Sequence, residues 1–313
     1  MKIKALLVVL ICILTGCLPP LDSHVPKEVA IVRGKIAFKS TGRSEISGFF
    51  IENGSMKENA GGIQRFFSDY QRTLSHGLDS FLTFNLDGRQ LAEISIAPLN
   101  LGFDNYFDIS PDGKTIAFIA SQESKGYRVD NLYAIDVDGN NLRNLTGYED
   151  DYKYFGGVKF SPDGKKLLFN RARTRKEGAT LFIRDIVSGE TTDILAGKLK
   201  NGAEADWSPD GKSIVFVHID ESSFRNLYLL DLATKQVKQL TYFSPKYFGQ
   251  VYHPSYSPWG DQICFALAAR DKNAGSEIFA VNVDGSNLIR LTASKKTEHY
   301  PYRAADDYPD WGK

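Results

Sequence analysis

Short apolar runs recur along the chain, each following a polar turn: Ile116-Ala117-Phe118, Leu167-Leu168-Phe169, Ile214-Val215-Phe216 and Ile263-Cys264-Phe265. Runs this short, bounded by turn residues, predict strands. The turns before them are near copies: Ser110-Pro111-Asp112-Gly113-Lys114, Ser161-Pro162-Asp163-Gly164-Lys165, Ser208-Pro209-Asp210-Gly211-Lys212 and the variant Ser257-Pro258-Trp259-Gly260-Asp261. Proline presets the first central position of a type I turn, and glycine supplies the left-handed residue that closes the hairpin. A third strand follows each run, at Asn131 to Asp136, Thr180 to Asp185, Asn226 to Asp231 and Glu277 to Asn282. A fourth ends at Leu145-Thr146, Leu240-Thr241 or Leu291-Thr292.

The turns are spaced 51, 47 and 49 residues apart. A period near fifty, with four short strands in each repeat, predicts the blades of a β-propeller. The SPDGK turn and the apolar run after it resemble the TolB-type, WD40-like β-propeller repeat, and the resemblance covers residues 34–313. It extends to the propeller alone; no counterpart is expected for the α/β domain that precedes the propeller in TolB. The fold class is therefore expected to be all-β, a single propeller. The C-terminal Tyr308-Pro309-Asp310-Trp311 reads as a first strand, like Ala205-Asp206-Trp207, and Lys35-Ile36-Ala37-Phe38 reads as a second. The two ends are thus expected to pair and close the ring. Six four-stranded blades, the second degenerate around Phe81 to Ser95, are favoured over five with a long insertion.

The N-terminus carries a different signal. Lys2 and Lys4 precede an apolar run from Ala5 to Leu14, too short to span a bilayer. Leu14-Thr15-Gly16-Cys17 resembles the bacterial lipobox. The resemblance implies a signal peptide over 1–16, a lipidated Cys17 and a proline-bearing tether over 17–33. It places the protein in the bacterial cell envelope, held to the membrane through its lipid anchor. With Leu18 after the cysteine, the outer membrane is the expected site in a Gram-negative host.

Composition narrows the chemistry. The 38 basic and 38 acidic residues cancel, which gives no support for a nucleic-acid partner. Three cysteines, one in the signal and one lipidated, leave Cys264 as a small buried hydrophobe and no disulfide framework. No Gly-x-Ser-x-Gly elbow is present. The five histidines lack metal-ligand spacing, so no metal and no cofactor is expected. Asp136-Val137-Asp138-Gly139-Asn140 lacks the glutamate that would complete a calcium loop. The basic run Arg171, Arg173, Arg175 and Lys176 reads as an exposed loop.

Strand alternation puts the tight turns on one side of the disc and the long loops on the other. The blade-to-blade connections 97–107, 147–157, 242–254 and 293–308 hold 15 of the 38 aromatic residues. These rings either pack between blades or form a recognition surface. The binding-face candidates are Tyr148, Tyr152, Tyr154, Tyr242, Tyr247, Tyr252, His253, His299, Tyr300 and Tyr302. The expected function is non-catalytic binding of an envelope protein or glycan. The alternative is a propeller enzyme, a glycan lyase or hydrolase, using His253 and His299.

Overall fold

A computed structural model describes strand backbone between Lys35 and Gly312 and, outside short loop segments, side chains from Tyr106 to Thr292. Residues 1–34, 59–79, 96–101, 148–153, 173–177, 244–248, 269–275, 293–295 and 298–299 are among those outside the described residues. The expected signal peptide, Cys17 and tether fall there.

The regular structure of the described residues is all β. In chain order the strands are β1 (Lys35–Thr41), β2 (Ser47–Glu52), β3 (Ser55–Glu58), β4 (Ser80–Phe84), β5 (Gln90–Ser95), β6 (Gly102–Ile109), β7 (Thr115–Ser124) and β8 (Tyr127–Asp136). There follow β9 (Arg143–Asn144), β10 (Tyr154–Phe160), β11 (Lys166–Ala172), β12 (Thr180–Asp185), β13 (Thr191–Asp193), β14 (Gly202–Trp207), β15 (Ser213–Ile219) and β16 (Arg225–Asp231). The last are β17 (Val237–Gln239), β18 (Val251–Tyr256), β19 (Gln262–Ala268), β20 (Ser276–Asn282), β21 (Ile289–Arg290), β22 (Lys296–Thr297), β23 (Tyr300–Arg303) and β24 (Ala305–Gly312). Among the described residues they form five four-stranded sheets, β24-β1-β2-β3, β6 to β9, β10 to β13, β14 to β17 and β18 to β21. Two hairpins, β4-β5 and β22-β23, stand apart from these.

The two chain ends do pair. β24 lies antiparallel to β1, with Trp311 opposite Ile36 and Asp310 opposite Ala37. The sheets follow one another face to face: β10 packs across β6 to β8, β14 across β10 to β12, β18 across β14 to β16, and β24 across β18 to β20. A second strand covered on both faces has no polar side to present, so it reads as a continuous apolar run. Ile116 to Ala120 are at most 1% exposed, and Ile214 to Val217 are fully buried. Each second strand pairs an aromatic with one on the third: Phe118 with Tyr133, Phe169 with Phe182, Phe216 with Tyr228, and Phe265 with Phe279. Their ring centroids are 5.6, 6.0, 5.9 and 6.0 Å apart. Such pairs contribute about 1 kcal/mol each beyond the area they bury.

The repeated turns are held by their serines. Ser110, Ser161 and Ser208 each donate through Oγ to the aspartate two residues on, at 2.6, 2.6 and 2.7 Å. The same oxygen accepts the N–H of the first residue of the next strand, at 2.9 Å in all three. In the variant turn the carboxylate comes from the fifth position instead, Ser257 donating to Asp261 at 2.7 Å. The glycines have φ of 70, 69, 69 and 75°, so any side chain there would be strained. Successive turns also lie close together: a Cβ on Gly164, Gly211 or Gly260 would stand 3.5, 3.9 or 3.5 Å from the proline of the preceding turn.

Two consequences can be measured. The serine hydroxyls, then the backbone N–H of Lys114, Lys165 and Lys212, hold the carboxyls of Asp112, Asp163 and Asp210 below the ordinary 3.8. The stability they add is present above that ordinary value and is lost as pH falls through the lower folded one. Urea midpoints taken from pH 5 down to pH 2 should therefore fall less steeply in the triple Asp→Asn variant at these positions. Deleting Pro309 to Lys313 removes the pairs with Lys35, Ile36 and Ala37. A loss of about 3 kcal/mol is expected from about 1 kcal/mol per backbone bond, seen as a melting temperature lowered by several degrees. An unchanged melting curve would mean that β24 carries no stability.

Candidate binding face

The inner strands β10, β14 and β18 each carry a bulge, between Gly156 and Val158, Ala203 and Ala205, and Tyr252 and Ser255. Gly157, Glu204 and His253 lie in these bulges with φ of 54, 44 and 50°. Glycine adopts that conformation freely, whereas glutamate and histidine pay about 1–2 kcal/mol for it. Strain of this kind persists where surrounding contacts over-determine the backbone.

Those contacts cross from one sheet to the next. The His253 backbone N–H donates to Glu204 Oε2 at 2.8 Å, and His253 Nδ1 stands 3.5 Å from the same oxygen. Arg225, the first residue of β16, donates through Nη1 to Glu204 Oε1 at 2.6 Å. Its guanidinium lies over the Tyr252 ring, 4.5 Å from the centroid. The Tyr252 and His253 ring centroids are 6.1 Å apart. Arg225, His253 and Glu204 side chains remain 21%, 20% and 18% exposed, so the cluster is mostly enclosed but reaches solvent. All four residues stand near the starts of β14, β16 and β18, the side of the long connections.

Further along the same strands the bridges are structural. Asp206 Oδ2 accepts the Tyr256 N–H at 2.9 Å, and Asp108 Oδ2 accepts the Phe160 N–H at 2.7 Å. The Tyr256 hydroxyl meets Ser213 Oγ at 3.0 Å, and burial pushes its phenol up to about 12. The threonines of the recurring Leu-Thr strings act as clasps within a blade. Thr146, Thr241 and Thr292 accept the N–H of Leu132, Leu227 and Ile278 at 3.0, 2.9 and 3.0 Å.

Of the candidates named from sequence whose side chains are described, Tyr252 and His253 are brought together. Tyr242 is 73% exposed in the connection before β18, its hydroxyl reaching Gln239 O at 3.4 Å. Tyr154 belongs to β10, and Tyr300 and Tyr302 to β23. Tyr148, Tyr152, Tyr247 and His299 lie outside the described residues. The connections are also shorter than sequence suggested, because residues 102–107, 154–157 and 251–254 belong to inner strands. The bulges interrupt alternation there, so the hydrophobic pattern stops before the strand does. Arg171 likewise is not in an exposed loop: it lies in β11, 8% exposed, with its guanidinium 4.1 Å from the Phe182 ring centroid. Glu204 and Arg225 were missed from sequence. Spacing is the signal for Glu204, since Gly157, Glu204 and His253 recur at the same 47 and 49 residues as the turn serines.

The tight-turn side is not featureless. A groove of about 450 Å³ runs between the β6–β9 and β10–β13 sheets, lined by Pro111, Asp112, Arg143, Phe160, Pro162 and Asp163 among others. Its two aspartates are already engaged by their own turns. Among the described residues no three His, Cys, Asp or Glu side chains converge to hold a metal ion.

Repeated four-stranded sheets, four of them carrying the same turn between first and second strands and packed face to face in series, define a β-propeller-type repeat protein. The family model described as the TolB beta propeller domain matches residues 113–308, and the chain belongs to that family. Dipeptidyl-peptidase 5 of Porphyromonas gingivalis is 29% identical over 143 residues, which is 43% of this chain and 20% of that one. Uncharacterized protein Atu1656 of Agrobacterium fabrum is 28% identical over 168 residues, 50% of this chain and 52% of its own. The chain thus spans a fifth and about half of the length of these curated relatives. Among solved structures, TolB from Acinetobacter baumannii superposes with a TM-score of 0.60 at 17% identity, covering 96% of this chain and 69% of that one. At that identity the likeness speaks for the fold alone.

Glu204→Ala should cost about 2–3 kcal/mol, because it removes the partner of a mostly buried guanidinium and the acceptor of a bridging N–H. The alanine keeps the backbone strain. Chemical denaturation of the two proteins side by side checks this, and equal midpoints would show that the cluster does not join the sheets.

Proposed function

We propose that this protein is an exported, lipid-anchored scaffold of the bacterial envelope that binds a protein or glycan partner without catalysing a reaction. The observation that carries the reading is the cluster of Arg225, Glu204, Tyr252 and His253, kept in a strained backbone on the long-loop side. An aromatic and a guanidinium held in fixed geometry and open to solvent are the usual anchors of a recognition surface. The exposed Tyr242, in the connection before β18, adds an aromatic on the same side. In this reading the propeller has six blades, with β4-β5 as the remnant of the second, and the pairing of β24 with β1 closes the ring. The lipobox-like Leu14-Thr15-Gly16-Cys17 supports the anchor and the envelope location, the outer membrane in a Gram-negative host.

The enzymatic reading rests on one observation, the contact of His253 with Glu204. A general base oriented by a carboxylate has that form. The two readings separate on turnover of an envelope glycan by the wild type and by His253→Ala.

Capture from detergent-solubilised membranes tests the binding reading. Tyr152→Ala, Tyr242→Ala, Tyr247→Ala and Tyr302→Ala should each weaken capture about five- to a hundredfold, the usual range for a lost interface anchor, with unchanged melting curves. Lys114→Ala and Lys165→Ala, beside the opposite turns, should leave capture intact. Normal binding by all four tyrosine variants would refute the face. Separately, Cys17→Ala should abolish incorporation of labelled fatty acid, and equal labelling of both proteins would refute the anchor.

A further inference from the structure

The cluster also constrains what it can hold. A guanidinium carries five N–H donors in one plane. In Arg225 one edge is taken, with Nη1 on Glu204 Oε1 at 2.6 Å, and one face is taken by the Tyr252 ring at 4.5 Å. Nε and Nη2 have no acceptor among the described residues and are not enclosed. They form the side-on fork of the guanidinium, held by the Glu204 bond and the Tyr252 ring. The carboxylate beside them is not saturated either. Glu204 accepts from Arg225 and from the His253 N–H, while an ionised carboxylate offers about four acceptor sites.

Charge then decides between ligands. Arg225 and Glu204 cancel one another, so the open edge offers donors next to an acceptor with no surplus charge from the pair. An oxyanion placed on the fork would meet the Glu204 carboxylate at close range. Adjacent hydroxyls would not, because each can accept from a guanidinium N–H and donate its own proton to a carboxylate lone pair. The Tyr252 ring, covered on one face by the guanidinium and packed against the Cys264 and Ala266 cluster, holds the fork in place. The backbone points the same way. The equivalent bulge in the preceding sheet is served by Gly157, so the fold accommodates glycine at this position. Glu204 and His253 hold functional side chains where an unstrained residue would suffice for the chain path.

We propose that the junction of β14, β16 and β18 binds vicinal hydroxyls of a neutral sugar ring, with Arg225 donating and Glu204 accepting. This rests on the binding reading above and narrows its ligand to a glycan. The test measures binding to the full chain of three neutral oligosaccharides, chitotetraose, maltotetraose and cellotetraose, and of one acidic one, tetragalacturonate. Saturation-transfer NMR and calorimetry serve as readouts. At least one neutral oligosaccharide should bind with a Kd of about 1 mM or tighter, with an affinity that barely changes with salt. Arg225→Lys keeps the charge and loses the fork, and Glu204→Gln keeps the shape and loses the charged acceptor. Each should weaken that binding about tenfold or more, while Lys114→Ala should not. If Glu204→Gln alters the melting curve, Arg225→Lys decides. Absence of neutral-sugar binding, binding of the acidic oligosaccharide alone, or wild-type affinity in Arg225→Lys overturns the proposal. If sugars fail but the tyrosine variants still lose a captured protein, this inference falls and the broader binding reading stands.

Discussion

Everything in the repeat depends on a serine hydroxyl used twice. In each turn it donates to a carboxylate and accepts the N–H that starts the next strand. A buried hydroxyl with only one of these bonds would leave a polar group unsatisfied at a cost of about 1–3 kcal/mol. With both, the turn is rigid and the register between the inner and second strands has no slack. That register decides which residues face the neighbouring sheet, and hence the aromatic pairs, the proline–glycine contacts and the placement of each bulge. The variant Ser257 turn shows that the constraint is on the bond and not on the letter. Its carboxylate has moved from the third position to the fifth, and the hydroxyl is still held.

This explains what could be read from the chain and what could not. The turns and buried second strands were legible because their chemistry is local: serine, proline, aspartate and glycine within five residues, then an apolar run covered on both faces. The pairing of β24 with β1 was legible because two half-motifs at opposite ends complete one repeat. The candidate site was not. Its four groups come from β14, β16 and β18, and sequence distance hides that convergence. The strongest cue, a left-handed residue within a strand, is silent when the residue is Glu204 or His253. Only Gly157 carries the usual signature, and a lone glycine in an aromatic-rich segment does not announce a bulge.

The inner strands divide their labour along their length. Near the turns, Asp108 and Asp206 bridge to the next sheet's backbone and are structural. Near the long connections, Glu204 does the same for His253, but its second oxygen meets a cation that faces solvent. One device, a carboxylate accepting a neighbour's N–H, therefore serves as a joint at one level and, in the proposed reading, as the floor of a binding site at the other. A ligand touching Arg225 would act directly on the contact between two sheets, so binding there would couple occupancy to the rigidity of that junction.

The β24–β1 pairing has a bearing on how the chain matures. β1 is made long before its partner β24, so one of its edges stays unpaired while the intervening strands are synthesised. Such an edge is a template for unwanted strand addition. The contact also closes a very long loop, a step expected to be slow beside the local hairpins. Segments that shield Lys35–Thr41 while the chain is incomplete, whether its own or a chaperone's, would raise the yield of folded protein without touching its final stability.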